Sequence, residues 1–414
     1  MAKRETLKTD QKFYFGAATS SHQIEGGNIN NWSEWEKKNA TRLAIAAKNK
    51  SELINEFPGA LNPENYISGK ACNSYELFNE DIKALASLGC NAYRFSLEWS
   101  RIEPNEGMFD ATAISKYREM ILSAKTAGLE PFLTLHHFTL PLWIEEKGGI
   151  ASHQFSKYFA RFAERIGKEF KYEIKFISPI NEPEILAMNG YYRGIWPPAK
   201  KNFFQFRRAR KNLVRAHILA FQKLKKVNPA FAVGPVCNLS AFESAGGFWN
   251  SILRLLALRF WNFYFLDRVK QYSDFIGINY YFHNRISGGF NKNENKTVSD
   301  LDWELYPQGI ETVLSETYSR YKLPLFITEN GLADSKDANR SWFIEETFKA
   351  MSRVRKIGVD IRGYFHWSLI DNFEWDKGFW PRFGLFKTDF TTFERTPRNS
   401  SKVYAEQIKQ FINE

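Results

Sequence analysis

Cysteine is scarce in this chain of 414 residues: Cys72, Cys90 and Cys237 are the only three. They lie far apart, none pairs at metal-ligand spacing, and an odd number argues against a disulfide framework. A reducing, cytoplasmic setting is expected. Long apolar runs are also missing. The most apolar stretch, "FWNSILRLLALRFWNFYFLDRV" from Phe248 to Val269, is interrupted by Arg254 and Arg259. It reads as a packed or interfacial helix, and no transmembrane segment is expected. The opening "MAKRETLKTDQKFYFG" starts basic but never develops the apolar core of a secretory signal, so export by that route is unexpected. Acidic residues are missing altogether between Ile185 and Phe242, a segment that holds eleven bases from Arg193 to Lys226. The chain carries 57 Lys and Arg against 46 Asp and Glu, a formal charge of +11, so this one segment holds the whole excess. It is either a solvated helix face or a docking patch for an anionic polymer or membrane surface. No nucleic-acid motif accompanies it, and no nucleic-acid partner is expected.

Aromatic residues, by contrast, are abundant at 16%, with 12 Trp and 37 Phe. Most Phe will be core, but such an excess also suits surfaces on which sugars stack. Short β-branched or aromatic runs alternate with longer amphipathic stretches along the entire chain. The candidate strands are "YFGAATS", "NAYRFSLEW", "EPFLTLHHF", "IKFISPINEP", "FAVGPVCN", "DFIGINYY", "PLFITENG" and "IRGYFHWSL". Helical patterns lie between them, such as 75–88, 114–127, 155–170, 206–227, 248–269, 341–356 and 401–412. Eight such units predict a single closed (β/α)₈ barrel, read as one catalytic domain over residues 1–414 because no linker divides it. The one loose stretch, "SGGFNKNENKTVSD", suits a mobile loop after the sixth strand.

Chemistry in such barrels gathers at the carboxyl ends of the strands. The first strand ends near Gln23 and Glu25, the second at Arg94 and Glu98, the third at His136 and His137, the fourth at Asn181 and Glu182. The sixth ends at Asn279, Tyr280 and Tyr281, the seventh at Glu329 and Asn330, and the eighth at Trp367, with Glu374 and Trp375 soon after. Two glutamates on strands four and seven, set among amide, imidazole, phenol and indole groups, suit cleavage of a glycosidic bond: one carboxyl protonates the leaving oxygen and the other attacks the sugar carbon. His136, His137, Glu182 and Glu329 are also legal metal ligands, but neighbouring strand residues point to opposite faces, so at most one histidine enters the mouth.

The stretches "FGAATSSHQIEG", "SPINEP", "DFIGINYY", "FITENG" and "HWSLIDNFEWDKGFWPRFGLF" resemble glycoside hydrolase family one, the β-glucosidase and β-galactosidase family, and the likeness runs from about Phe13 to the tail "ERTPRNSSKVYAEQI". The resemblance implies a retaining enzyme with Glu182 as general acid and base and Glu329 as nucleophile, their carboxyl groups about 5 to 5.5 Å apart. It implies that Arg94 and Tyr281, with Asn279, hold the nucleophile charged. Gln23, His137, Asn181, Glu374 and Trp375 match the family's sugar-binding positions, and Trp367 its stacking platform; Tyr281 also borders the substrate. No metal or cofactor is implied, and the partner is a small oligosaccharide or an aryl or alkyl β-glycoside.

The sequence also departs from the family pattern. Where relatives carry "YHW", this chain has His136, His137 and Phe138, which removes an indole donor and leaves the preferred sugar open among gluco, galacto and manno forms. The modest length suggests trimmed mouth loops and an open aglycone side. Glu374 is retained, and a carboxylate there would repel a sugar phosphate, so a non-phosphorylated substrate is expected, with Lys377 pointing either to solvent or to the substrate's edge. A transglycosidase or a non-catalytic glycan-binding barrel would carry many of the same residues.

Overall fold

Eight parallel strands, each followed by a helix, form the frame of the computed structural model, which describes residues 12–49 and 51–413. Most of the amino-terminal stretch considered above as a secretory signal lies outside these residues. The strands are β1 (Tyr14–Ala18), β2 (Ala92–Ser96), β3 (Glu130–His136), β4 (Phe176–Ile180), β5 (Ala232–Val233 with Val236–Asn238), β6 (Ile276–Tyr280), β7 (Leu325–Asn330) and β8 (Ile361–Trp367). The helices are α1 (Ser74–Ser87), α2 (Ala111–Thr126), α3 (Phe155–Glu169), α4 (Phe203–Val227), α5 (Phe263–Val269), α6 (Gly309–Tyr321), α7 (Arg340–Lys356) and α8 (Asn399–Asn413). Their sequence logic is visible in α3, where Phe155, Phe159, Phe162 and Ile166 recur at helical spacing and are all buried. Caps set the starts: Asp110 accepts from the amides of Thr112 and Ala113 to begin α2, and Asn202 accepts from Gln205 N to begin α4.

Each strand pairs with its neighbours in order, β8 returning to β1, and β5 closes the ring in two pieces. Ala232 and Val233 pair with β4, and Val236 to Asn238 pair with β6. Gly234 and Pro235 interrupt the strand between them, as expected where proline removes a ladder donor. The structure differs from the sequence reading in three further places. The 248–269 stretch is two helices, Phe248–Ala257 and α5, joined by a π-turn at Leu258–Asn262. α6 had no counterpart among the expected helices. The asparagine-rich loop is held down: Asn293 Nδ2 donates to His283 O and Asn295 Nδ2 to Leu305 O.

The barrel is filled from below by rings. Phe132 and Phe176 stack at 4.0 Å between centroids, Phe365 and Phe326 lie 4.7 and 5.3 Å from Phe132, and all four are buried. The polar residues sit above this floor. In β7, Leu325 and Ile327 pack with helix residues such as Phe348, while Phe326 points inward with Phe132. Strict alternation would therefore turn Glu329 outward, with Leu325 and Ile327. A bulge prevents it. Ile327 pairs with Ile278 but Glu329 pairs with Asn279, so Thr328 and Glu329 together oppose one residue of β6 and the carboxylate is re-aimed into the barrel.

Gly331, directly after β7, is needed for space. Its φ is not in the left-handed region; a Cβ there would sit 1.8 Å from Trp367 O. Since a backbone oxygen cannot step aside as a side chain can, β7 and β8 would have to separate above the site. Gly331→Ala is expected to lower stability by at least about 2 kcal/mol and to reduce kcat, as read from the denaturant midpoint and from steady-state rates.

Candidate active site

A cavity of about 790 Å³ opens at the carboxyl ends of the strands. Its walls include Glu182, Glu329, His137, Asn181, Tyr281 and Trp367, together with Glu374 and Trp375 from the segment after β8. Four residues lining it have left-handed backbone: Phe138 (φ 72°), Glu182 (φ 43°), Asn291 (φ 55°) and Trp375 (φ 48°). Such conformations cost about 1 to 3 kcal/mol each and are kept where surroundings impose them. For Glu182 the surroundings are plain: its amide donates to Val236 O at 2.9 Å and Pro183 opens the following helix.

Arg94, rising from β2, connects the opposing walls. Nη1 donates to Glu329 Oε1 at 2.5 Å and to Thr328 O at 3.0 Å, and Nη2 donates to Asn181 Oδ1 at 2.7 Å. Tyr281 donates its hydroxyl to Glu329 Oε2 at 2.9 Å. Thr328 Oγ1 donates to Asn279 Oδ1, which fixes that amide so that Nδ2 donates to Glu182 Oε1 at 2.8 Å and to Asn181 Oδ1 at 3.2 Å. Asn279 was expected to support Glu329. It does help hold that carboxyl in its charged form, but its shortest contact is to Glu182. With Asn181 Oδ1 committed to Arg94 and Asn279, its Nδ2 donates to His137 Nε2 at 3.1 Å. His137 is therefore assigned the tautomer with the proton on Nδ1, a donor with no partner in the protein.

The two glutamates are electrostatically unequal. Burial pushes Glu182 up to about 8, helped by the negative charge of Glu329. Burial also raises Glu329, but Arg94, Tyr281 and Asn279 all pull it back toward its charged form. The shared proton therefore rests on Glu182. Both Asn279 and Asn238 donate to Glu182 Oε1, which leaves Oε2 to carry that proton. Asn238, at the end of β5, is the clearest functional residue that sequence reasoning passed over; its position as the last residue of a strand was the available signal.

Most of the residues expected to bind the sugar line the cavity, with two differences from the sequence expectations. Trp367 and Trp375 lie nearly parallel to the His137 ring, at 5.9 and 6.0 Å, and form an aromatic slot. Glu374 is half-buried at the cavity wall, and desolvation raises it to about 8, followed by Asp376 and Glu329. Gln23 does not line the cavity. It lies behind Glu374, donating to Glu374 Oε2 at 3.2 Å and to Phe373 O at 2.8 Å, so in the protein alone it positions Glu374. Phe138 packs against Trp375 and Trp196, both at 5.1 Å, and the Trp196 indole donates to Asp376 instead of replacing the missing donor. Lys377 Nζ is held by Asp376 Oδ2 at 2.6 Å on the rim.

Other strand-end residues turn elsewhere. His136 lies against Phe155 and Phe159 outside the barrel and is pushed down to about 3 by burial, so only one histidine enters the mouth. Glu25 pairs with Arg101, Glu98 accepts from Ser100 and Thr139, Tyr280 donates to Tyr306 O, and Asn330 Nδ2 donates to Tyr280 O. Among the described residues no three His, Cys, Asp or Glu converge as metal ligands would, and no helix is long and apolar enough to cross a membrane.

The sequence model of glycosyl hydrolase family 1 matches residues 5–266 and 258–411. β-Glucosidase A of Thermotoga maritima is 29% identical over an alignment of 453 positions that covers 97% of this chain and 98% of the relative. A β-galactosidase of Saccharolobus solfataricus is 30% identical, with 80% and 82% covered. Among solved structures, a β-glycosidase from Pyrococcus horikoshii superposes with a TM-score of 0.84 at 36% identity, covering 96% of both chains. The T. maritima β-glucosidase in complex with glucoimidazole does so at 0.83 and 26% identity, covering 97% of this chain and 98% of its own. A family model that spans nearly the whole sequence, together with this barrel, establishes that the chain belongs to glycosyl hydrolase family 1.

Proposed function

We propose that the protein is a retaining β-glycosidase, β-glucosidase-like and open to galactosides and mannosides, that hydrolyses terminal non-phosphorylated β-D-glycosides through a covalent glycosyl-enzyme. The observation that carries this reading is the unequal pair: a protonated carboxyl with its proton free on Glu182 Oε2, and a carboxylate on Glu329 clamped by Arg94 and Tyr281. In the first step Glu329 attacks the anomeric carbon while Glu182 gives its proton to the departing aglycone oxygen. Esterification removes the charge of Glu329, one cause of the raised Glu182 pKa, so Glu182 becomes acidic enough to take a proton from water. That water attacks the same carbon, Glu329 leaves, and the β configuration is restored.

The negative charges of Asp376 and Glu329 that help raise Glu374, together with the occupied Lys377, support a substrate without a phosphate. Phe138 supports loose discrimination among epimers, since it can pack but cannot donate. The names of the relatives support the same substrate class, glucosides and galactosides. Three free, buried cysteines support a reducing, cytoplasmic setting, and the barrel's closure by β5 supports the whole chain acting as one catalytic unit.

Aryl β-glycosides provide the test. Glu329→Ala is expected to lower kcat at least about 10⁴-fold on every substrate. Glu182→Ala is expected to lose about 10²- to 10⁴-fold on poor leaving groups and far less on dinitrophenyl glycosides, which need little protonation. Azide separates the two: the β-glycosyl azide should form in Glu182→Ala and the α-azide in Glu329→Ala. The reverse stereochemistry would exchange the roles.

The pH profile is a second check. A carboxylic acid raised to about 8 is protonated below that pH and lost above it, so kcat/KM should fall on the alkaline side near pH 8. In Glu329→Gln the neighbouring negative charge is gone, so the Glu182 pKa should move down, as read by a carboxyl titration in isotope-edited infrared spectra.

A further inference from the structure

The outer lip of the cavity is an apolar surface turned toward solvent. It centres on the helix Phe248–Ala257, in which only Ala257 is buried. A helix on a globular surface normally presents polar residues to water. This one presents Phe248 and Trp249, 72% and 73% exposed, followed one and two turns later by Ile252, then Leu255 and Leu256. Its other side is anchored, with Leu253 and Ala257 packed on Phe242 and Ile286 and Arg254 paired with Glu316. The patch does not stop at the helix end. Exposed Phe260 lies 6.5 Å from Phe206, which lies 6.2 Å from Phe203, and Phe203 neighbours the exposed Phe204 and Tyr192. Leu256, Phe260 and Phe290 also line the catalytic cavity, so the patch and the pocket are one continuous surface.

Cations surround it. Of the bases in the acid-free segment, Arg210 is spent on buried Glu184, Lys225 on Asp274 and Lys223 on Glu164. Arg193, Lys200, Lys201, Arg207 and Arg208 are exposed, as is Arg259 beside Phe260, and the Arg207 guanidinium lies over the Phe203 ring at 5.8 Å. Bulky apolar groups flanked by bases fit the headgroup boundary of an anionic bilayer. A second copy fits poorly, because a twofold contact would set these bases against themselves.

We propose that this lip docks the enzyme on anionic membrane surfaces, and that β-glycosides with long alkyl or acyl aglycones pass from the lipid layer along Leu256, Phe260 and Phe290 into the pocket. The delivery step rests on the glycosidase reading above; the docking step does not. The test is co-sedimentation with vesicles of phosphatidylcholine containing about a quarter phosphatidylglycerol, against phosphatidylcholine alone. Wild type should bind the anionic vesicles more tightly. F248S/W249S and R207E/R208E should each weaken that binding at least about tenfold. F248S/W249S should keep wild-type rates on a soluble aryl β-glycoside yet lose at least about fivefold on a long-chain alkyl β-glucoside embedded in the vesicles. Failure of wild type to co-sediment, or equal binding by F248S/W249S, would overturn the docking surface. A wild-type dimer in light scattering that F248S/W249S dissociates, without vesicle binding, would assign the patch to self-association and overturn it equally. Unchanged turnover of the embedded glucoside would overturn delivery alone, whereas absence of aryl glycoside turnover by wild type would overturn the glycosidase reading and leave docking to be decided by co-sedimentation.

Discussion

A buried guanidinium is the constraint around which this mouth is arranged. Arg94 is 2% exposed, and a cation in that position without partners would cost several kcal/mol. Its partners come from across the barrel: Glu329 and the Thr328 carbonyl from β7, and the Asn181 amide just beyond β4. Satisfying that charge has consequences around the whole site. It favours a charged Glu329, orients Asn181, and through Asn181 selects the tautomer of His137. Thr328, whose carbonyl serves Arg94, uses its hydroxyl to orient Asn279 and so directs a hydrogen bond to Glu182. The proton arrangement of six residues follows from one ion pair and the amides packed around it.

Much of this was legible from residue order, because strand ends in an eight-fold βα alternation are also places in space. Glu182 and Glu329 could be placed on opposing strands without coordinates, and Trp367 and Trp375 near the same mouth, whereas their parallel arrangement about His137 could not. The illegible parts share a physical reason: they depend on departures from regular geometry. Alternation along "PLFITEN" points Glu329 toward the helices, and only the bulge at Thr328 reverses it. Asn238 ends the expected strand "FAVGPVCN" and was passed over because a lone asparagine there acquires meaning only through its contact with Glu182. Gly331 answers to the Trp367 carbonyl, a long-range contact with no local signature. Gln23 has the right identity, but its depth behind Glu374 depends on packing between chain segments 350 residues apart.

The basic segment teaches a related lesson about composition. Eleven bases without an acid looked like a uniform patch, yet the fold consumes some of them internally: Arg210 with Glu184, two residues beyond Glu182, Lys225 with Asp274 and Lys223 with Glu164. What remains exposed borders the apolar lip. Charge and hydrophobicity that are separate in the linear sequence, the bases before Val227 and the leucines and rings after Gly247, become one amphipathic surface through the contact of Phe206 with Phe260.

The stacked phenylalanines beneath the site impose an order on events above them. Among the described residues Phe132, Phe176, Phe326 and Phe365 fill the barrel below the site, so the well opens at its mouth. Whatever leaves the anomeric carbon must clear the passage through which its replacement arrives. The aglycone therefore departs before water can approach, and any alcohol waiting at the greasy lip competes with water for the same vacancy. Traffic in a blind well thus obeys a ping-pong sequence, with the partition between hydrolysis and transfer set by which molecules crowd the doorway.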